Sequence, residues 1–172
     1  MGLTLVLGGA RSGKSAYARR AAEREAERRG GRLIMIATAE ALDAEMAHRI
    51  ARHRDERGPA WTTLEEPLDL AEAIERLTHK DVAVVDCLTL WLNNLMYRDR
   101  PLAPAFEALA RIARASDCAL FLVSNEVGQG LVPENALARR FQDEAGLLHQ
   151  RLAQVADTVV FVTAGLAQTL KS

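Results

Sequence analysis

Gly8-Gly9-Ala10-Arg11-Ser12-Gly13-Lys14-Ser15, GGARSGKS, is the stretch whose reading decides the fold. A glycine, four residues and then Gly-Lys-Ser is the pattern of a phosphate-binding loop. A phosphate chain needs several backbone N–H groups turned toward one point. Glycine permits that turn and lets the backbone approach the oxygens. Lys14 can then reach the β- and γ-phosphates, and the Ser15 hydroxyl can ligate Mg²⁺. A helix starting at about Gly13 adds the positive end of its dipole. The flanks supply the required setting. Leu3 to Leu7 is a short apolar, β-prone run, and Ala16 to Arg29 is rich in Ala, Arg and Glu, which favour helix. Strand, glycine loop and helix in this order point to nucleoside triphosphate binding.

Working outward, apolar runs alternate with helical patterns. Tyr17, Ala18, Ala21, Ala22 and Ala26 give the first helix a face of mostly small residues, and Gly30-Gly31 ends it. Leu33 to Ala37 reads as a strand buried on both faces, ending in Ala37-Thr38-Ala39. A helix is expected over 43–57, with Leu42, Met46 and Ile50 as its buried stripe and Gly58-Pro59 as its stop. Trp61 to Glu65 is a short strand, and Pro67 to about Thr78 a helix with Leu70, Ile74 and Leu77 inward. Val82 to Val85 is a buried strand ending in Asp86, followed by an apolar helix from Leu88 to Met96. Tyr97 to Pro104 reads as a mobile loop, Ala105 to Ala115 as a helix and Cys118 to Ser124 as a strand. Pro133 suits the first turn of the longest helix, whose apolar positions are Leu137, Phe141, Leu148, Leu152 and Val155. Asp157 to Thr163 is a last strand, ending near Gly165. This is an α/β chain with a mostly parallel sheet and helices on both faces, expected as one domain over 1–172.

Composition narrows the function. The chain has 172 residues and a net charge of −1, without the basic excess of a nucleic-acid binder. A chain of this size buries roughly 70% of its unfolded surface, enough for one sizeable core. Cys87 and Cys118 form no CxxC pair and read as reduced, buried thiols. No run reaches the length of a membrane span. The N-terminus enters a strand at once, leaving no room for a signal peptide. A cytoplasmic protein is the expectation.

In parallel sheets ligands sit outside the carboxyl ends of the strands. Gly8 to Ser15, Thr38, Glu65, Asp86, and Asn125 with Glu126 follow successive strands to that end. Asp86, after four apolar residues, reads as the acid that holds Mg²⁺ directly or through water. Glu65 and Glu126 could each polarise an attacking hydroxyl, hold a metal or bind ribose. Glu66, before Pro67, reads as a solvated charge at a helix start. His53 lies among Arg49, Arg52, Arg54 and Arg57, with Asp55 and Glu56 giving partial balance. A cationic cluster suits a polyphosphate and lowers an imidazole pKa, which keeps a ring nitrogen free as a nucleophile. On spacing alone, a plain surface helix explains it as well. His48, His79 and His149 read as ordinary surface or edge residues.

The phosphate loop, RIARHRDER at 49–57, VVDCLTLWLNNLM at 84–96 and SNEVGQGLVPENALARRF at 124–141 together resemble one family. It is the bifunctional adenosylcobinamide kinase / adenosylcobinamide-phosphate guanylyltransferase family of cobalamin assembly. The resemblance covers nearly the whole chain, and the VDCLTLWLNNL and NEVGQGLVPEN stretches are far more specific than the loop. It implies a RecA-like P-loop NTPase fold and a homotrimer. It also implies phosphorylation of adenosylcobinamide by ATP or GTP, then transfer of GMP from GTP to that phosphate through a covalent bond to a histidine, which here matches His53. Lys14 would stabilise the transition state. The implied nucleotide contacts fall on Gly8, Gly9, Ala10, Arg11, Ser12, Gly13, Lys14 and Ser15, on Ala37, Thr38 and Ala39, on Arg54, Asp55, Glu56 and Arg57, and on Glu65 and Asp86. Two other readings stay open: a small-molecule kinase, which gives His53 no task, and a RecA-like nucleotide switch.

Overall fold

The computed structural model describes residues 2–40 and 58–172. The helix expected over 43–57 lies outside the described residues. The elements, in order, are β1 (Leu3–Gly8), α1 (Lys14–Arg29), β2 (Arg32–Ala37), β3 (Trp61–Glu65), α2 (Leu70–Glu75), β4 (Asp81–Asp86), α3 (Leu88–Tyr97), α4 (Leu102–Ala115), β5 (Ala119–Asn125), α5 (Ala136–Val155), β6 (Thr158–Thr163) and β7 (Leu166–Lys171). The strands form one seven-stranded sheet in the order β3-β2-β4-β5-β1-β6-β7. Every pairing is parallel except β6 with β7.

The unbroken apolar runs of β1, β4 and β5 exist because both sheet faces are covered. Side chains alternate between two cores. Leu3, Leu5 and Leu7, Ala83 and Val85, and Leu120 and Leu122 enter one core, with Leu70, Ile74, Trp91, Leu109, Leu148 and Leu152 from α2 to α5. Val6, Val82, Val84, Phe121 and Val123 enter the other, against Ala18, Ala22 and Ala26 of α1. The three alanines let α1 lie close on the sheet, and each buried Leu, Val or Phe stabilises by about 1.5–3 kcal/mol. Gly30, at φ 63°, closes α1 with its N–H on the Ala26 carbonyl.

Several element bounds differ from expectation, each for a local reason. The Glu66 carboxylate accepts N–H bonds from Leu68 at 3.0 Å and Asp69 at 2.8 Å, so the chain turns before α2, which is only Leu70–Glu75. The loop expected over 97–104 shrinks to 98–101. Pro104 is accommodated inside the first turn of α4, where N–H groups have no intrahelical partner. Pro133 stands before α5 rather than in it. Asn135 is the cap, its side chain accepting from Leu137 N–H at 2.8 Å and Ala138 N–H at 3.2 Å. Leu137, expected in the core, is 64% exposed. The sequence reading stopped near Gly165 and missed β7. Ala164 (φ 52°) and Gly165 (φ 79°) form a tight hairpin turn there, and all six β7 residues are exposed. Among the described residues no helix is long and apolar enough to cross a membrane.

Candidate functional site

The sheet topology brings the sequence-predicted residues to one end. Gly8 lies beside Asn125 on one side and Val162 on the other, and Ala37 lies between Asp86 and Glu65. Continuing the side-chain alternation, Gly8, Asp86 and Asn125 fall on the α1 face.

The loop after β1 is a cradle whose two ends, Gly8 and Gly13, leave no space for larger residues. A Cβ on Gly8 would stand 2.5 Å from the Val162 carbonyl oxygen and 2.6 Å from Ser12 Oγ. Gly13 caps α1 at φ 95°, where a Cβ would also stand 3.2 Å from Gly165 Cα. The neighbouring strands brace this loop. Glu126 N–H donates to the Gly8 carbonyl at 3.0 Å, and Gly165 N–H donates to the Ser12 carbonyl at 2.8 Å. No side chain caps the start of α1 and its first turn holds no acid, so its N–H groups and positive dipole end await an anion. Lys14 is 7% exposed and its Nζ donates to the Gly9 carbonyl at 3.1 Å. Ser12 Oγ is buried with no hydrogen-bond partner. An orphaned buried hydroxyl costs about 1–3 kcal/mol, which a phosphate oxygen in the cradle would relieve.

Asp86 ends β4, next to Cys87, across a cis peptide. The Thr38 hydroxyl bonds Cys87 twice, accepting from its N–H at 2.8 Å and donating to its carbonyl at 2.8 Å. Asn94 of α3 donates to the Thr38 carbonyl at 2.8 Å and the Pro67 carbonyl at 3.1 Å. Thr38 is fully buried. Its side chain therefore braces the ends of β2 and β4. Burial pushes the Cys87 thiol up, the Asp86 carboxylate pushes it further, and the Lys14 ammonium opposes. Asn125 donates to Thr89 Oγ1 at 2.8 Å, and Thr89 Oγ1 lies 3.1 Å from Cys87 Sγ, so the ends of β4 and β5 are tied together.

Glu65 ends β3 at the sheet edge and is exposed. Ala10 and Arg11 are exposed at the loop tip, and Ala39 is half-buried. Among the described residues no group of three or more His, Cys, Asp or Glu side chains could hold a metal. A divalent ion at this loop would take the Ser15 hydroxyl and the Asp86 carboxylate, with phosphate oxygens and water completing the set. Such hard oxygen donors fit Mg²⁺. His53, Arg54, Asp55, Glu56 and Arg57 lie outside the described residues.

The structure corrects the reading of His149. It is 6% exposed, and its Nε2 lies 2.7 Å from Ser124 Oγ, itself fully buried. Its Nδ1 faces Glu126 Oε2 at 3.8 Å. The signal was present in the sequence: His149 is four residues after Ala145 and three before Leu152, on the buried stripe of α5.

The comparisons with known proteins agree along the whole chain. Residues 4–170 match the model of the family described as cobinamide kinase / cobinamide phosphate guanyltransferase. The chain is 48% identical to the bifunctional adenosylcobalamin biosynthesis protein CobP of Pseudomonas aeruginosa, over 97% of this chain and 96% of that one. It is 36% identical to the CobU protein of the same description from Salmonella typhimurium, over 98% and 99% of the two chains. Among solved structures it is similar to the flagellar accessory protein FlaH of Methanocaldococcus jannaschii, with a TM-score of 0.55, 14% identity and 99% and 78% coverage. It is also similar to the P4 protein of bacteriophage phi6 in complex with ADP, with a TM-score of 0.52, 15% identity and 97% and 52% coverage. The latter two likenesses concern the fold, a P-loop NTPase sheet. With a match running from residue 4 to residue 170, the chain belongs to the cobinamide kinase / cobinamide phosphate guanyltransferase family.

Proposed function

We propose that this enzyme phosphorylates the hydroxyl of the aminopropanol arm of adenosylcobinamide with ATP or GTP, then transfers GMP from GTP to that phosphate. The observation that carries the reading is the phosphate cradle with its unpaired Ser12 hydroxyl, in a chain matching this family over residues 4–170. In the first step the substrate hydroxyl oxygen bonds to the γ-phosphorus, the β–γ bridge breaks, and the hydroxyl proton leaves. In the second, an imidazole nitrogen of His53 bonds to the α-phosphorus of GTP and pyrophosphate leaves. The phosphate of adenosylcobinamide phosphate then displaces His53. Covalent transfer splits one difficult displacement into two.

The residues of the cradle act by binding and charge. N–H groups of Gly9 to Ser15 and the α1 dipole hold the phosphates, and the Lys14 ammonium meets charge on the leaving oxygens. Bound at Ser15 and Asp86, Mg²⁺ would neutralise charge on the phosphate oxygens. Ala37, Thr38, Ala39, Glu65 and Arg54 to Arg57 complete the nucleotide contacts in this reading. We assign the enzyme to the cytoplasm, in keeping with its free, buried Cys87 and Cys118, and to a homotrimer.

The test is incubation with GTP labelled in the α-phosphate. Label should stay on denatured protein, leave in acid, map to His53 and be absent from His53→Ala. Undiminished label on His53→Ala removes the nucleophile. Kinase turnover with no adduct on the unaltered enzyme leaves the first step only.

A further inference from the structure

The buried His149 has no task in the reaction just described, nor does Glu126 have one at the end of β5. Ser124, His149 and Glu126 stand in the order of a nucleophile–base–acid triad. Ser124 is fully buried, however, so no substrate reaches its oxygen. The geometry serves something else. Glu126 holds the phosphate loop through its backbone, N–H to the Gly8 carbonyl at 3.0 Å. Its carboxylate turns the other way. Oε1 accepts Gly128 N–H at 2.7 Å and Oε2 faces His149 Nδ1 at 3.8 Å. A carboxylate repels a ring lone pair and attracts an N–H, so the proton of the neutral imidazole belongs on Nδ1. Nε2 then accepts the Ser124 hydroxyl at 2.7 Å. The Ser124 hydroxyl and Nε2 are thereby matched, and Glu126 is fixed by its two backbone-directed bonds with Nδ1–H facing its Oε2 as a longer electrostatic contact.

We infer that His149 is a positioning residue for the phosphate loop: by bridging Ser124 of β5 and the Glu126 carboxylate, it fixes the Glu126 N–H that braces Gly8. The inference rests on the reading of Gly8–Ser15 as the nucleotide cradle. Protonation of the ring puts a second N–H on Nε2, turns Ser124 from donor to acceptor and draws Glu126 inward, away from Gly128. Burial holds the ring below its ordinary value, with Glu126 opposing. Glu126 is the one described charge acting on it. α3, α4 and β1, which pack on α5, offer apolar side chains such as Leu7, Leu92 and Leu109, and the Arg151–Glu107 pair between α5 and α4 lies at the surface. The Glu126–Gly128 arrangement seen here therefore belongs to the neutral ring, and uptake of a proton re-aims it.

The experiment measures KM for GTP and kcat of cobinamide phosphorylation between about pH 5.5 and 8.5, with His149→Gln, His149→Leu, Glu126→Gln and the Glu126→Gln/His149→Gln pair. The unaltered enzyme should show KM rising in acid while kcat changes less. Glutamine, whose carbonyl can accept from Ser124 and whose amide can donate to Glu126, should keep a low KM and lose that acid limb. His149→Leu should raise KM about fivefold or more at every pH. The two single changes should be non-additive in the pair, since they act on one bridge. A His149→Leu enzyme with the original KM and pH profile overturns the inference. If His149→Leu does not fold, strictly additive effects in the glutamine pair, or an acid limb unchanged in His149→Gln, overturn it instead. Lys14→Ala is the control: full turnover in that variant removes the nucleotide reading, whereas an inactive Lys14→Ala beside unaffected His149 variants removes only the role of His149.

Discussion

An alanine at Gly8 would put a methyl group 2.5 Å from the Val162 carbonyl and 2.6 Å from Ser12 Oγ. Both neighbours are held, Val162 by its place in β6 and Ser12 by Gly165 N–H on its carbonyl at 2.8 Å. Overpacking of this kind costs about 1–3 kcal/mol. In a chain of this length that is a fall in Tm of about 2–4 °C for each kcal/mol. Gly8→Ala should therefore lose stability measurably by calorimetry and lose nucleotide affinity more severely, because the strain lies in the cradle. Gly9 is the internal comparison. Nothing lies within 4 Å of its would-be Cβ, so Gly9→Ala should keep the Tm within about 1 °C. Equal losses at both glycines would contradict the steric account.

The start of α5 gives a prediction for a whole element. Asn135 Oδ1 accepts from Leu137 N–H at 2.8 Å and Ala138 N–H at 3.2 Å. Asn135→Ala should cost about 0.5–2 kcal/mol, while Asn135→Ser or Asn135→Asp should restore most of it in urea unfolding. The helix pattern in the sequence placed α5 but not this boundary, since Pro133 is equally suited to a first turn and only the side-chain geometry of Asn135 decides. Elements buried on both faces, such as β1, β4 and β5, were legible because continuous apolar residues have no other use at that density. β7 was not, because an edge strand with six exposed residues needs no apolar signature. At the candidate site, the positions of the glycines, Lys14 and Asp86 at strand ends were legible, because the phosphate-loop pattern fixes residue types and spacing. His149, Thr89 and Asn94 were not: each is a buried polar group whose meaning depends on a partner distant in sequence, Ser124, Asn125 and Thr38 respectively.

Across the molecule, charge is divided between the two ends of the sheet. At the amino ends, acids are matched. Asp81, which begins β4, accepts from Arg32 at 2.9 Å and from Thr78 N–H and O–H at 2.8 and 2.9 Å. Asp157 accepts Leu3 N–H at 2.9 Å and Arg114 at 2.9 Å, tying β1 and α4 to β6. Glu25, near the end of α1, is held by Arg28 and Arg29. At the carboxyl ends stand the uncapped α1 and the unpaired Ser12 hydroxyl. Stability should therefore fall in acid through the amino ends. Bonding to Arg28, against burial and with Arg29, holds Glu25 at about 2 rather than 4.5. Burial would raise Asp81, but Thr78 and Arg32 outweigh it and lower it. The Leu3 N–H, against burial and with Arg114, lowers Asp157. For each acid the unfolded chain takes the proton first, so its contribution is complete above about pH 5 and is lost as pH falls toward 2. His149 acts in the same direction earlier. Buried and lowered from 6.5, it also binds its proton more readily unfolded, so stability begins to fall below about pH 6.5. Urea midpoints should therefore decline in two stages from pH 7 to pH 3. His149→Gln should remove the first stage and Glu25→Gln should reduce the second by about 1–2 kcal/mol, with allowance for screening at the exposed Arg28. A midpoint that rises on going from pH 7 to pH 5 would show that the buried imidazole is stabilised by its proton, and would place the positive form, not the neutral one, between Ser124 and Glu126.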